Sequence, residues 1–352
     1  MKTIAALFLS LFLGCGAGSA PPPAAQPAET APAPQATQTA PAAPAADQPS
    51  ASEIRTASFH SDALGVDKQY VIYLPRGYAS DTSKRWPVIY MLHGLGGAET
   101  NWRDLGIGKV ADGLDLAAII VMPDGDDGFY VDWVAPVDYD KCLKTPRPFG
   151  KEIHMEHYCV KQPRYDQYIS HDLIGHIDAT YRTLADRGHR AIGGLSMGGY
   201  GALYQAFHHP DLFSVVASHA GVASLLYEGP HPYAAGKAQI SSDPHEFLTE
   251  SGDFGVLFRK IWGEGIARWR QHDPVTLTAN LTPGQMAIYF DVGTADEFHL
   301  QDANQYLDQV LTKRGLDHEF HLVEGGHHDG AFWSSRVNDS MRFLQAHLAG
   351  HE

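Results

Sequence analysis

The chain has 352 residues and carries 26 Lys and Arg against 41 Asp and Glu, a formal net charge of 26 − 41 = −15. With no basic cluster and no basic-aromatic stripe to meet a phosphate backbone, the composition excludes nucleic acid as a partner. After residue 15 no apolar run approaches the length of a membrane span, so membrane attachment is expected only through the N-terminus.

That N-terminus reads as a bacterial export signal: Lys2, the apolar run Ile4 to Leu9, then Leu13-Gly14-Cys15. Its end resembles a lipobox, in which a small residue precedes a cysteine that is lipidated, although Phe12 stands where an aliphatic residue is usual. Residues 1–15 are read as the lipoprotein-type signal peptide and Cys15 as the lipidation site, with a plain secretory signal cut at 17–20 as the alternative. The expected location is the cell envelope, in the periplasm or at the outer membrane, or outside the cell. Residues 16–52 are almost entirely Ala, Pro, Gln and Thr; they bury too little apolar surface to fold and read as an extended tether. Residues 53–352 remain as one large domain.

Thr56 to His60 and Gln69 to Pro75 read as two early strands forming an antiparallel edge. Trp86 to Leu92 is a continuous apolar run, as in a strand buried on both faces, and it ends in His93-Gly94-Leu95-Gly96-Gly97. A glycine-rich loop after a central strand lets the backbone approach a substrate, and the N–H of Leu95 is a candidate oxyanion donor. Ala117 to Met122 is a second buried strand, closed by Pro123-Asp124-Gly125-Asp126-Asp127-Gly128. That string lacks the spacing of a calcium loop and reads as a turn.

Residues 129–165 form a long irregular insertion rich in aromatic residues, Pro and His, of the kind that carries function. Tyr130 and Trp133 are placed near the catalytic end as substrate-binding candidates. The insertion holds Cys142 and Cys159, an even pair in an exported chain, for which a disulfide is the favoured reading. Cys142, His154, His157 and Cys159 offer a zinc set as the alternative.

Gln167 to Arg182 is predicted helical, with Ile169, Leu173, Ile174, Ile177 and Tyr181 on one face. Then comes Gly194-Leu195-Ser196-Met197-Gly198. A serine on a sharp strand-to-helix turn needs small neighbours, and glycines 194 and 198 supply them. Ser196 is the candidate nucleophile, and the N–H of Met197, at the start of the following helix, is the second candidate oxyanion donor. Leu212 to Ala217 reads as a strand, and 221–270 as a region of short cap helices. Strand Met286 to Phe290, helix Leu300 to Arg314, strand Glu319 to Val323 and helix Phe332 to Leu348 complete an α/β domain with a mainly parallel sheet and helices on both faces.

A serine hydroxyl needs a base, and the base needs a carboxylate to hold it. Two post-strand loops supply candidates: Asp291, Asp296 and Glu297 in the first, His327 and His328 in the second. The chain order Ser, Asp, His is that of an α/β-hydrolase. From the residues alone, the choice within each loop stays open.

G-L-S-M-G-G-Y-G, H-G-L-G-G followed by Asn101-Trp102, D-V-G-T-A-D, and G-G-H-H-D with Trp333 after it together resemble the esterase family of α/β-hydrolases. That family includes S-formylglutathione hydrolase (esterase D), bacterial feruloyl and acetyl esterases, and the mycolyltransferases. The resemblance spans about Trp86 to Trp333 and implies Ser196 as nucleophile, Asp296 as acid and His328 as base, with Trp102 a further substrate-binding candidate. It implies a serine carboxylic-ester hydrolase working through an acyl-enzyme on small-molecule or polysaccharide-linked esters, with no cofactor and no metal. An acyltransferase of the mycolyltransferase kind and a non-catalytic surface binding protein are the alternatives.

Overall fold

The computed structural model describes residues 50–149 and 155–348. The export signal, Cys15, all but the last residues of the tether, and His154 lie outside the described residues. Among the described residues no helix is long and apolar enough to cross a membrane.

In chain order the strands are β1 (Glu53–Ser61), β2 (Val66–Leu74), β3 (Val88–Leu92), β4 (Ile119–Pro123), β5 (Arg190–Leu195), β6 (Val215–His219), β7 (Tyr227–Gly229), β8 (Gln239–Ile240), β9 (Ala287–Gly293) and β10 (His318–Val323). Eight of them form one sheet in the order β1-β2-β4-β3-β5-β6-β9-β10, while β7 and β8 pair separately. The β1–β2 hairpin is antiparallel, as expected, and β2 also runs antiparallel to β4. Every pairing from β4 across to β10 is parallel. Parallel strands need crossovers, and these supply helices to both faces.

The apolar runs carry that arrangement directly. Successive strand side chains point to opposite faces, so Val88, Tyr90 and Leu92 of β3 join one core while Ile89 and Met91 join the other. The first core takes in the helix Met197–His208; the second takes in Trp102, Ile107, Val337, Met341 and Leu344. Burying a large apolar side chain contributes about 1.5–3 kcal/mol, which is why β3, β4, β5 and β6 tolerate no exposed position.

Two regions differ in detail from the expectation. The predicted helix over 167–182 is α-helical only at Tyr165–Gln167 and Ile174–Thr180, with the π-helical segment Tyr168–Leu173 between them. In the 221–270 region the expected short helices form, at His245–Glu250, Gly252–Trp262 and Ile266–His272, and the strand pair β7–β8 precedes them where no strand was expected. Trp262 meets Tyr200 of the helix Met197–His208 edge-on, while Phe258 and Trp262 pack on Phe129 in the loop after β4.

Candidate active site

Strand β5 is buried along its whole length and leads directly into Ser196, which adopts φ 53° and ψ −118° before the helix Met197–His208 begins. A non-glycine residue at positive φ stores about 1–3 kcal/mol of strain, kept only when its surroundings over-determine it. Here the close approach of backbones does so. A Cβ on Gly194 would lie 2.1 Å from the carbonyl oxygen of Gly198, and one on Gly198 would lie 2.3 Å from that of Leu92. The Ser196 N–H donates to the His219 carbonyl at the end of β6 (2.8 Å), and the Tyr200 N–H donates to the Ser196 carbonyl (2.9 Å). The hydroxyl is thereby lifted clear at the carboxyl edge of the sheet.

The loops after β9 and β10 meet there. The Ala295 N–H donates to Gly326 O (2.9 Å) and the Thr294 N–H to Val323 O (2.9 Å). Gly293 and Gly326 touch so closely that a Cβ on Gly293 would lie 1.9 Å from the Gly326 oxygen. This contact delivers His328 to Ser196, with His328 Nε2 2.8 Å from Ser196 Oγ and His328 Nδ1 2.7 Å from Asp296 Oδ2. The other oxygen of Asp296 accepts the N–H groups of Phe298 (2.9 Å) and Leu300 (3.4 Å). A carboxylate only accepts, so Nδ1 of His328 carries the proton and Nε2 is free to accept from the serine hydroxyl. The rings of Phe298 and Trp333 stand edge-on to the imidazole at 4.7 and 5.2 Å.

The twin residues are occupied elsewhere. Glu297 binds the exposed ring of His327 (2.7 Å) and the His328 N–H (2.9 Å). Burial would raise the Glu297 pKa, but these two bonds outweigh it and hold the carboxyl below its usual range. Asp291 is fully buried and holds His219 Nδ1 (2.9 Å), Tyr289 Oη (2.7 Å) and Arg336 Nε (3.1 Å). Burial works against its ionisation, and His219, Tyr289 and Arg336 together still keep it below the normal carboxylate range. Asp291 therefore braces the floor beneath the elbow, where the His219 carbonyl also receives the Ser196 N–H.

The loop His93–Gly97 abuts the serine: a Cβ on Gly94 would come within 3.3 Å of Ser196 Cβ. Neither the Leu95 nor the Met197 N–H has a hydrogen-bond acceptor among the described residues. Two unpaired donors flanking a serine can receive an oxygen that gains negative charge.

Two of the three substrate-binding expectations need correction. Trp102 and Tyr130 are each 0% exposed, so neither lines a substrate site. Trp102 donates its indole N–H to Leu92 O (2.9 Å) and Tyr130 its hydroxyl to His93 O (2.9 Å), and both thus support the glycine loop from beneath. Trp133 is half-buried, packs on Tyr165 at 6.0 Å and donates to Gly128 O (3.1 Å). Cys142 and Cys159 form a disulfide with their Cα atoms 5.8 Å apart, which removes both from the zinc alternative.

The Asp124-Gly125-Asp126-Asp127-Gly128 turn holds protein cations through side chains distant in sequence. Lys68 Nζ lies 2.9 Å from Asp124 and 2.7 Å from Asp126, all buried. Despite burial, the lysine keeps Asp124 well below the usual range. Burial, together with the charge on Asp124, pushes Asp126 up to about 8. Among the described residues one mixed group could approach a metal ion, Asp166, His208 and His209, with ligand atoms within 4.8 Å of one another. It sits at the far end of the nucleophile helix from Ser196, and one Asp166 oxygen is already shared by Gln205 and His209, each at 2.8 Å.

The family model described as "Putative esterase" matches residues 61–344. The chain belongs to this esterase family. An esterase of Mycobacterium tuberculosis is 29% identical over 284 residues, covering 76% of this chain and 54% of the relative. The chain thus spans about half the length of that curated relative. An S-formylglutathione hydrolase structure from Agrobacterium tumefaciens superposes with a TM-score of 0.62 at 19% identity, covering 85% of this chain and 96% of that one. A ferulic acid esterase structure does so with a TM-score of 0.60 at 22% identity, covering 85% and 99%. At those identities the likeness establishes the α/β-hydrolase fold.

Proposed function

We propose that the chain is a serine carboxylic-ester hydrolase. The observation that carries this reading is the unbroken hydrogen-bond chain from Asp296 through His328 to a strained, outward-facing Ser196. In the reaction, Ser196 Oγ adds to the acyl carbon as its proton passes to His328 Nε2, and the carbonyl electron pair moves onto oxygen. The N–H groups of Leu95 and Met197 receive that oxyanion. Collapse expels the alcohol, which takes the proton from His328 and leaves an acyl-enzyme on Ser196. Water, deprotonated by the same imidazole, then releases the acid. Asp296 holds Nδ1–H throughout and stabilises the imidazolium, and this sequence uses no cofactor.

Membership in the esterase family supports an ester substrate; we infer a small acyl group, acetyl or hydroxycinnamoyl, on a small alcohol or a polysaccharide, as among relatives named acetyl esterase and ferulic acid esterase. We place the enzyme in the cell envelope, held by a lipid on Cys15. The Cys142–Cys159 disulfide supports an oxidising compartment. The test is hydrolysis of p-nitrophenyl acetate and methyl ferulate by the protein and by Ser196→Ala. A loss of about 10⁴ to 10⁶ in kcat is expected in the variant. Equal rates from two folded samples would overturn the reading.

A further inference from the structure

We propose that Arg147 is a positioning residue for the oxyanion loop, held against it by the disulfide-closed segment between Cys142 and Cys159. The proposal rests on the ester-hydrolase reading above.

The loop's geometry needs an outside hold. Gly94 to Gly97 is a turn closed by the Gly97 N–H on Gly94 O (3.0 Å), and Gly96 sits at φ 74°. A positive φ at the third residue marks a type II turn, whose central peptide can rotate to face the other way at small cost. That peptide joins Leu95 to Gly96 and directly follows the Gly94–Leu95 peptide that carries the Leu95 N–H, so where the donor sits depends on how firmly Gly96 and Gly97 are held. The orientation is set by Asp127, whose Oδ1 accepts the Gly96 N–H at 3.0 Å.

Asp127 is held in turn by the insertion. Arg147 reaches it with Nη2 on Oδ1 (2.8 Å) and Nε on Oδ2 (3.2 Å), and the same Nη2 donates to Gly97 O (3.0 Å). One guanidinium therefore grips both the carboxylate that fixes the loop and the loop itself. The Tyr158 hydroxyl adds a further bond to Oδ2 (3.1 Å), and Arg147 lies 4.9 Å over the Tyr158 ring. The side chains of Arg147 and Asp127 are 4% and 1% exposed, so this pair is shielded from water, and loss of the cation leaves a buried charge uncompensated.

Arg147 and Tyr158 have little regular structure to hold them. Among its described residues the segment carries the one-turn helices Tyr139–Cys142 and Met155–Tyr158 and no longer element. Localising such a segment costs conformational entropy, and a cross-link between residues 17 apart removes part of that cost from the unfolded chain. The disulfide thus serves the site at a distance: it keeps Arg147 in reach of Asp127 and Gly97, and the two together hold the loop so that the Leu95 N–H stays in position.

The experiment measures kcat and KM for p-nitrophenyl acetate, per active site titrated with diethyl p-nitrophenyl phosphate, together with Tm, for the protein and for Arg147→Met, Arg147→Lys, Tyr158→Phe and Cys142→Ser/Cys159→Ser. Misaiming one oxyanion donor predicts a fall in kcat of about 10- to 100-fold in Arg147→Met with KM nearly unchanged, and partial recovery in Arg147→Lys. The double serine variant should lose kcat in the native background and lose almost nothing further when combined with Arg147→Met, since both break one linkage. Tyr158→Phe removes one uncharged bond and should fold, with a drop in kcat of about 2- to 5-fold. A lower Tm with kcat unchanged in Arg147→Met, or in Tyr158→Phe where the former does not fold, overturns the proposal. Ser196→Ala separates the two levels: Ser196-dependent hydrolysis that ignores Arg147 sinks this proposal alone, whereas hydrolysis indifferent to Ser196 sinks the esterase reading and this proposal with it.

Discussion

Replacing Asp296 by Asn alters one atom and reverses the proton logic of the site. In the native protein one carboxylate oxygen accepts the Phe298 and Leu300 N–H groups, and the other accepts from His328 Nδ1. An asparagine must keep its single carbonyl oxygen toward those two backbone donors, since they cannot accept. Its NH₂ then points at His328 Nδ1, which has to become the acceptor, and the imidazole proton moves to Nε2. From there it is donated to Ser196 Oγ, and the lone pair that should take the serine proton is gone. The expected cost is about 10⁴-fold in kcat, or about 5 kcal/mol of transition-state stabilisation, with little change in KM. Steady-state hydrolysis of p-nitrophenyl acetate measures it, and circular dichroism melting confirms that the variant is folded. Asp291→Asn is the control: it should lower Tm through its buried partners His219, Tyr289 and Arg336, and spare most of kcat. Asp296→Asn within 10-fold of the native kcat, or Glu297→Gln losing as much, would refute the assignment of the acid.

Two further outcomes follow from strain and titration. Ser196→Gly should melt higher than Ser196→Ala by about 1–3 °C, because glycine relieves the positive φ of 53° that alanine retains, less its own entropic cost; an equal Tm in these two inactive variants would show that the elbow is unstrained. Asp126, pushed up to about 8 by burial, binds its proton more tightly folded than unfolded, so its contribution to stability is present below about pH 4 and is lost as pH rises to about 8. Asp126→Asn should therefore flatten the decline in Tm between pH 5 and 9, and an unchanged slope would count against the raised pKa of Asp126.

Much of the fold was legible in the residues because it depends on local pattern. The run from Val88 to Leu92 is apolar at every position and became a strand buried on both faces. The glycines around Ser196 announced the elbow, since only residues without Cβ tolerate a backbone oxygen 2.1 to 2.3 Å away. The chain order of serine, acid loop and histidine loop likewise follows from strand and helix alternation. The choice between neighbours was not local. Asp291 and Asp296 stand five residues apart, and His327 and His328 are adjacent; which of them faces Ser196 is set by β9 pairing with β10 and by the backbone contact of Gly293 with Gly326.

The aromatic residues show the same division. Trp102 and Tyr130 carry a polar tip on an apolar ring, and composition suits them equally to a substrate wall or to a support under a loop. Only the packing of the second core around Trp102, and of Tyr130 beneath His93, assigns them to the latter. The acidic turn after β4 read as a turn because Asp and Gly favour one, and it is one. That its three acidic side chains hold Lys68 and Arg147 depended on side chains 20 and more residues away meeting in a dry interior, and no spacing within the turn encodes that. Periodicity and small residues determine which way a strand faces and where a chain can bend; the partners of a buried charge are decided by whatever the completed fold brings within hydrogen-bond reach.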